Sequence, residues 1–408
     1  MGGDFAVPHE TSLIATVAVG LAFAFIGGFF AVRLRLPPLV GYLLAGIVVG
    51  PFTPGFVADV QLAPQLAEIG VILLMFGVGM HFSVRDLWAV RGVAVPGAVV
   101  QIAAATALGA GVASLWGWPL GAALLFGLAL SVASTVVLLR ALEAHGLLNS
   151  SDGRIAVGWL IVEDLVMVLA LVLLPPLAGL LGAPAAGDPP PGGVWAAIAL
   201  TLGKVAVFVA LMLIVGVRVF PWILKRVEGT GSRELFTLAV IALSLGVAFG
   251  SAKLFGVSFA LGAFFAGVVV HESDLSHRAA DELRPLQDAF AALFFVSVGM
   301  LFDPAVLVRQ PLQVLAVVGI IVVGKSLAAL GIVLALRRPL RTALTVSAAL
   351  AQIGEFSFIL AGLGLAMGLL PPEGQSLVVA GALLSITLNP LAFYAIERWL
   401  PSERPNPV

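Results

Sequence analysis

Apolar runs follow one another along the whole chain, and most are long enough to cross a hydrocarbon layer about 30 Å thick. They fall near 11–32, 38–52, 64–80, 95–116, 119–140, 155–181, 194–219, 233–252, 255–271, 286–302, 312–336, 340–368 and 375–399. In lipid every backbone N–H and C=O needs a partner within the protein, so runs of this length must be helical. The sequence therefore predicts an all-α polytopic membrane protein with 13 transmembrane helices. Composition agrees: 61% of the residues are hydrophobic and 11% charged, where a soluble domain carries about 25% charged residues. The second run is short and is expected to be broken by Gly41, Gly46 and Gly50.

An odd number of spans puts the termini on opposite sides, and basic residues decide which. Of the 21 lysines and arginines, 17 lie on one side; Lys253 and Arg309 lie on the other, and Lys204 and Lys325 lie within helices. That asymmetry makes the C-terminus cytoplasmic and the N-terminus external, in a cell (inner) membrane. Asp4, His9 and Glu10 precede the first run, which reads as a membrane helix rather than a signal peptide. The absence of cysteine excludes disulfides and thiolate metal sites. A net charge of -1 with no basic run argues against nucleic acid. His9, His81, His145, His271 and His277 fall in or near loops and form no metal-ligand pattern within a span.

The two halves of the chain match. Gly41–Gly50 resembles Gly262–His271 at an offset of 221, Val78-Gly79-Met80 resembles Val298-Gly299-Met300 at 220, and Pro119-Leu120 resembles Pro339-Leu340 at 220. Each copy spans six helices, with a single helix between them. A shift of seven helices is odd, so the second copy is upside down relative to the first. Such inverted repeats are a signature of secondary transporters. The domain reading is a first repeat at 11–181, a proline-rich linker with separating helix seven at 182–230, a second repeat at 231–400 and a cytoplasmic tail at 401–408. Gly362–Gly368 has the look of a nucleotide loop, but it lies in an apolar helix with no strand before it, and helix packing through small residues is the better reading.

Few ionisable residues lie at depth: Glu163, Asp164, Lys204, Lys325 and Glu355, with Glu68 nearer an interface. Asp164 lies about 15 Å into its run at about 1.5 Å per residue. A charge near the bilayer midplane is costly and is read first as functional. Adjacent helical residues point about 100° apart, so Glu163 and Asp164 do not share a face. One is expected to line a cation pathway while the other pairs with a buried lysine, Lys325 being the candidate. The segments Ser131–Thr135 and Ala351–Glu355 correspond at offset 220, and both are polar enough to lose helical structure at mid-membrane. Glu355 would then offset the dipole of a half-helix N-terminus. For Ser131 a plain helix contact is an equal reading, and for Lys204 a structural or interfacial role is at least as good as transport.

With those residues in place, the chain resembles the monovalent cation:proton antiporter-2 family, and within it the Kef-type potassium/proton antiporters. The carrying segments are Pro37–Gly46, Leu73–Met80, Ser131–Val136, Glu163-Asp164, Phe294–Met300 and Gly354–Phe358. The resemblance implies a sodium/proton-antiporter-like fold with crossed broken helices, in a homodimer whose core domain moves against a dimerisation domain. It implies that Asp164 binds cation and proton alternately. Many Kef-type proteins carry a cytosolic nucleotide-binding regulatory domain beyond the last helix, and this chain ends at Val408.

The expected activity is exchange of a monovalent cation, K+ or Na+, for protons, without a cofactor and without enzymatic chemistry. Loss of water favours the protonated form of a carboxylate and a bound cation favours the ionised form, so the two compete for Asp164. Glu163, Ser134 and Thr135 complete the expected cation and proton site, and Lys325 and Glu355 compensate charge. Hard oxygen ligands suit an alkali cation. A gated K+ efflux pathway with channel-like uncoupled flux is the alternative. A bile-acid-type symporter would need a wider polar cavity, and an intramembrane hydrolase lacks both a nucleophile motif and a histidine base.

Overall fold

Prolines and glycines set many of the helix limits. The computed structural model describes residues 12–54, 62–81, 84–148, 150–183 and 193–399. Among them the first seven helices are α1 (Ser12–Arg33), α2 (Pro38–Val49), α3 (Leu62–His81), α4 (Val84–Leu115), α5 (Leu120–Ser131), α6 (Thr135–Ala144) and α7 (Ser151–Leu177). There follow α8 (Gly193–Leu211), α9 (Val217–Glu228), α10 (Arg233–Phe255), α11 (Phe259–His271), α12 (Ser276–Met300), α13 (Val306–Arg309), α14 (Pro311–Val318) and α15 (Lys325–Ala335). The last three are α16 (Leu340–Leu350), α17 (Glu355–Ala366) and α18 (Pro372–Trp399). The π-helical turns Met212–Gly216 and Gly319–Gly324 carry α8 into α9 and α14 into α15.

Among the described residues, nine helical stretches are long and apolar enough to cross a membrane, and α16 with α17 makes a tenth across a 44° bend. Helices α2 and α11 are apolar but shorter. The chain is a multi-pass membrane protein. Its outer side chains fit that setting: Phe25, Phe29 and Phe30 of α1 are exposed, which lipid accepts and water would not. Residues 184–192 of the predicted linker, the tail 401–408 and His9 lie outside the described residues.

The expected break in the second run is not found. Helix α2 continues through Gly41 and Gly46 and stops at Gly50. The two glycines are there for close approach. A Cβ on Gly41 would lie 2.2 Å from the backbone of Gly27, and one on Gly46 would lie 2.1 Å from the Val296 carbonyl oxygen. Small residues that let helix backbones meet are the usual device in lipid, where no hydrophobic force draws helices together.

Two compact units divide the chain. One contains Met1–Phe82 and Pro189–Asp303, the other Ser83–Asp188 and Pro304–Val408. Each therefore combines a segment from the first half of the chain with one from the second. In the first unit α3 packs on α11 and α12, and α2 packs on α1 and α12. In the second, α4 lies along α5 and α7, α15 against α16, and α17 against α5. A core of Trp159, Ala94, Ala98, Leu138, Val346 and Ala349 fills the second unit.

Helix limits recur at nearly one spacing. Pro119 precedes α5 and Pro339, 220 residues on, precedes α16. Helices α4 and α15 end at Leu115 and Ala335, again 220 apart, as are the starts of α6 and α17. In the first unit the starts of α2 and α11 are 221 apart.

The α4–α5 contact offers a test of this packing. A Cβ on Gly127 would lie 2.2 Å from the Thr106 carbonyl oxygen, whereas Gly111, also on α4, has open space around it. Gly127→Leu should lower the unfolding temperature in detergent by several degrees, since overpacking costs about 1–3 kcal/mol or more. Gly111→Ala should leave it at or above wild type. Equal behaviour of the two variants would contradict the packing described.

Candidate functional site

Two helices are interrupted in the second unit, at corresponding positions. Helix α5 stops at Ser131, and Val132 and Ser134 are extended, with φ/ψ of -95/136 and -79/126. Ser134 then caps α6, its Oγ accepting from the Val137 N–H at 3.4 Å. Helix α16 stops at Leu350 and α17 begins at Glu355 after Gly354. The breaks touch. A Cβ on Gly354 would lie 2.2 Å from the Ser134 Cβ, so glycine alone fits this crossing. Serines favour such a break because their hydroxyls compete for backbone groups.

A broken helix leaves N–H and C=O groups without intrahelical partners, and in a buried setting each one needs another. Buried side chains supply them. The Ala133 N–H donates to Glu163 Oε2 at 2.8 Å, and the Ser134 N–H donates to Gln352 Oε1 at 2.8 Å. Gln352 Nε2 donates to the carbonyls of Ser134 at 3.2 Å and Ala349 at 3.1 Å. Gln101 Nε2 donates to the Ser131 carbonyl at 3.0 Å, and Asn389 Nδ2 to the Ala348 carbonyl at 2.7 Å. Lys325 Nζ donates to the Gln352 carbonyl at 3.0 Å.

Charge follows the half-helix dipoles. The N-termini of α6 and α17 meet at the crossing, and Glu355 sits in the first turn of α17, where a negative charge is favourable. Its Oε2 accepts from Ser134 Oγ at 3.0 Å. Lys325 holds a carbonyl just beyond the C-terminus of α16, where a positive charge is favourable.

Asp164 is the central residue of α7, thirteen residues from Ser151 and thirteen from Leu177. Its Oδ2 accepts from Thr135 Oγ1 at 3.1 Å, and its Oδ1 has no protein partner. Glu163 Oε1 and Glu355 Oε1 also lack partners. All three acids are buried, and of the side chains hydrogen-bonded to them Thr135, the partner of Asp164, is only half-buried.

The structure brings together all six residues expected from the sequence, with two differences in pairing. Ser134 does not reach Asp164; its hydroxyl serves Glu355. Among the described residues no acid lies within ion-pair distance of Lys325. Glu163 and Lys325 attract one another electrostatically, but each hydrogen-bonds a different helix break. Both breaks have backbone groups that outcompete a direct contact. Lys204 is exposed on α8, and Glu68 is exposed in the second turn of α3. Small-residue packing in Gly362–Gly368 applies to Gly364, whose Cβ would lie 2.3 Å from Leu125; Gly362 faces open space, and Gly368 has φ +67 beyond the helix end.

The sequence reading missed Gln352, Gln101 and Asn389, which do most of the work of satisfying the breaks. Gln101 and Asn389 are visible as lone amides in apolar runs, and Gln352 lies within the polar segment Ala351–Glu355, though without an assigned role. Removing Lys325 should expose their limits. Lys325→Ala leaves the Gln352 carbonyl and the Glu163 carboxylate uncompensated and should destabilise by about 3–5 kcal/mol. Adding Glu163→Gln should recover part of that loss, as a double-mutant cycle of unfolding in detergent would reveal; strict additivity would deny the electrostatic link.

Known proteins share both sequence and shape with this chain. The family model described as sodium/hydrogen exchanger, transmembrane, matches residues 21–397. A relative in Escherichia coli (strain K12) named as the cation/proton antiporter YbaL is 61% identical over 96% of this chain and 70% of its own length. The Arabidopsis thaliana protein named K(+) efflux antiporter 4 is 34% identical over 95% of this chain, which spans only 64% of that relative. The solved structure of the sodium proton antiporter MjNhaP1 from Methanocaldococcus jannaschii superposes with a TM-score of 0.65 at 16% identity, covering 96% of this chain and 100% of that one. The fold is thus that of a sodium/proton antiporter, and the chain belongs to the transmembrane sodium/hydrogen exchanger family, among the cation/proton antiporters that the monovalent cation:proton antiporter-2 resemblance implied.

Proposed function

We propose that this chain exchanges a monovalent cation, K+ or Na+, for protons by alternating access, with cation and proton competing for the Asp164 carboxylate. One observation carries the assignment. Of the three buried acids in the cluster, Asp164 has the weakest support from the protein. Glu163 has a backbone N–H and the attraction of Lys325, and Glu355 has a helix N-terminus and the Ser134 hydroxyl. Asp164 has the Thr135 hydroxyl alone. A buried carboxylate so placed needs a proton or a cation, and Thr135 Oγ1 offers a second hard oxygen beside it.

Cargo alternation then follows if only the loaded, charge-compensated site reorients readily. The recurrence of helix limits at 220 and 221 residues supports two six-helix repeats of opposite orientation, with thirteen spans in all. The basic-residue asymmetry supports an external N-terminus and a cytoplasmic C-terminus in the inner membrane. Homodimerisation, and a cytosolic nucleotide-binding domain joined to chains of this kind, belong to the same proposal. K+ enters as a candidate cargo because the plant relative is named a K+ efflux antiporter, and Na+ because the family is named for sodium.

Proteoliposomes with an internal pH dye test this reading. Addition of K+ or Na+ should move protons in wild type, and Asp164→Asn should abolish that movement for both ions. Competition also fixes a sign with pH: more protons leave fewer sites for the cation. On the acid limb the KM for cation should therefore rise about tenfold per pH unit, with the maximal rate held. Retained exchange in Asp164→Asn, or a maximal rate that falls at constant KM, would sink the assignment. Cation current without proton movement would instead favour a channel.

A further inference from the structure

A groove of about 510 Å³ opens in the second unit, away from the acid cluster, lined among others by Trp88, Arg91, Gly92, Ser151, Arg154 and Arg338. The three arginines come from three sequence-distant places: the start of α4, the start of α7 and the turn between α15 and α16. The basic-residue count had put all three on the cytoplasmic face, and here they meet around one concavity. Arg91 stacks on Trp88, 4.2 Å from the ring centroid, and donates to the Trp88 carbonyl at 2.6 Å. Three guanidinium groups lining one groove give it a positive wall, and the guanidinium fork matches phosphate oxygens.

The wall supplied by α7 adds to this. Ser150 caps the helix by accepting from the Gly153 N–H at 3.0 Å, and the first N–H groups of a helix, at Ser151 and beyond, have no intrahelical acceptor. The acid in that first turn, Asp152, accepts from Thr342 Oγ1 at 2.6 Å and sets one carboxylate against the three arginines. The groove thus combines arginine side chains with a helix N-terminus.

The outer face of α4 says where the anion comes from. Trp88, Arg91, Val95 and Val99 follow at spacings of three and four, which puts them on one stripe of the helix. Trp88 is 63% exposed, Val95 40% and Val99 50%. An aromatic and a basic residue at the end of an apolar, outward-facing stripe is the pattern of a membrane interface. We propose that this groove binds the phosphate of an anionic phospholipid headgroup, with the acyl chains lying along Val95 and Val99. A bound headgroup would tie together the ends of α4 and α7 and the turn before α16, the helices that bear Asp164 and approach the second break.

The test uses the whole protein in neutral detergent, with unfolding temperature and native mass spectrometry as readouts. The probes are dioleoylphosphatidylglycerol, dioleoylphosphatidylcholine and inorganic phosphate. Phosphatidylglycerol should raise the unfolding temperature by about 5 °C near saturation, and phosphatidylcholine should do far less. Arg154→Gln and Arg338→Gln should each raise the half-saturating phosphatidylglycerol concentration about tenfold. Gly92→Leu keeps every arginine but fills the groove; a Cβ there meets nothing within 4 Å, so the variant should fold and still lose the response. Arg35→Gln, an exposed arginine of the other unit, should leave it unchanged. Equal responses to the two lipids, an intact response in Gly92→Leu, or an equal loss in Arg35→Gln would overturn the proposal. A full shift with inorganic phosphate alone would overturn the lipid assignment.

Discussion

The contact between Ser134 and Gly354 is the constraint on which the second unit depends. Two interrupted helices can cross in lipid only if their backbones come within touching distance and every freed polar group finds a partner. The first requirement excludes any side chain at Gly354. The second explains why the surrounding helices carry polar residues at all. Gln101 on α4, Glu163 on α7, Lys325 on α15 and Asn389 on α18 each point at a backbone group of a break. The break precedes the chemistry in a causal sense, since these residues would be unaffordable in an unbroken apolar bundle.

Gln352 is the hinge of this arrangement. Its amide accepts from the Ser134 N–H and donates to the Ser134 carbonyl, so one side chain binds both backbone groups of the residue at the opposite break. Its own carbonyl takes the Lys325 ammonium. Displacement of either half-helix therefore disturbs Lys325, and through its field Glu163. The charged residues are coupled by the backbone that they satisfy rather than by direct ion pairing.

Much of this was legible in the sequence. Apolar run length announced the helices, and the polar insertions at Ser131–Thr135 and Ala351–Glu355 announced the breaks, because lipid leaves no neutral reason for such clusters. Acidic residues at depth stood out for the same reason. The pairing did not. Helical geometry says that Glu163 and Asp164 diverge, but not that both reach one short stretch, from Ala133 in the break to Thr135 at the start of α6. Direct Glu163–Lys325 contact was a natural guess from opposite charge; the freed N–H and C=O groups that replace it are invisible to any count of side chains. The lone amides were passed over because an uncharged residue in an apolar run is individually cheap. Gly41 and Gly46 misled in the other direction, since composition alone does not separate a glycine that breaks a helix from one that lets another helix approach.

Charge counting within the cluster connects the fold to exchange. Glu163, Asp164 and Glu355 would carry three negative charges against one positive charge on Lys325. The half-helix N-termini at the crossing each contribute a fraction of a positive charge, roughly +0.5; that of α17 lies at Glu355, and that of α6 begins at Thr135, beside both Glu355 and Asp164. Lys325 is opposed to Glu163. What is left is one negative charge on Asp164, beside the half-buried Thr135 and with that single neutral donor. A medium of low dielectric does not tolerate that residue uncompensated, and the protein supplies no further cation among the described residues of the cluster. On the function proposed above, compensation arrives from solution, as a proton or as a small cation, and the two exclude each other at one carboxylate. On that proposal, coupling between their fluxes follows from electroneutrality at a single position, Asp164, the acid to which the surrounding network gives least support.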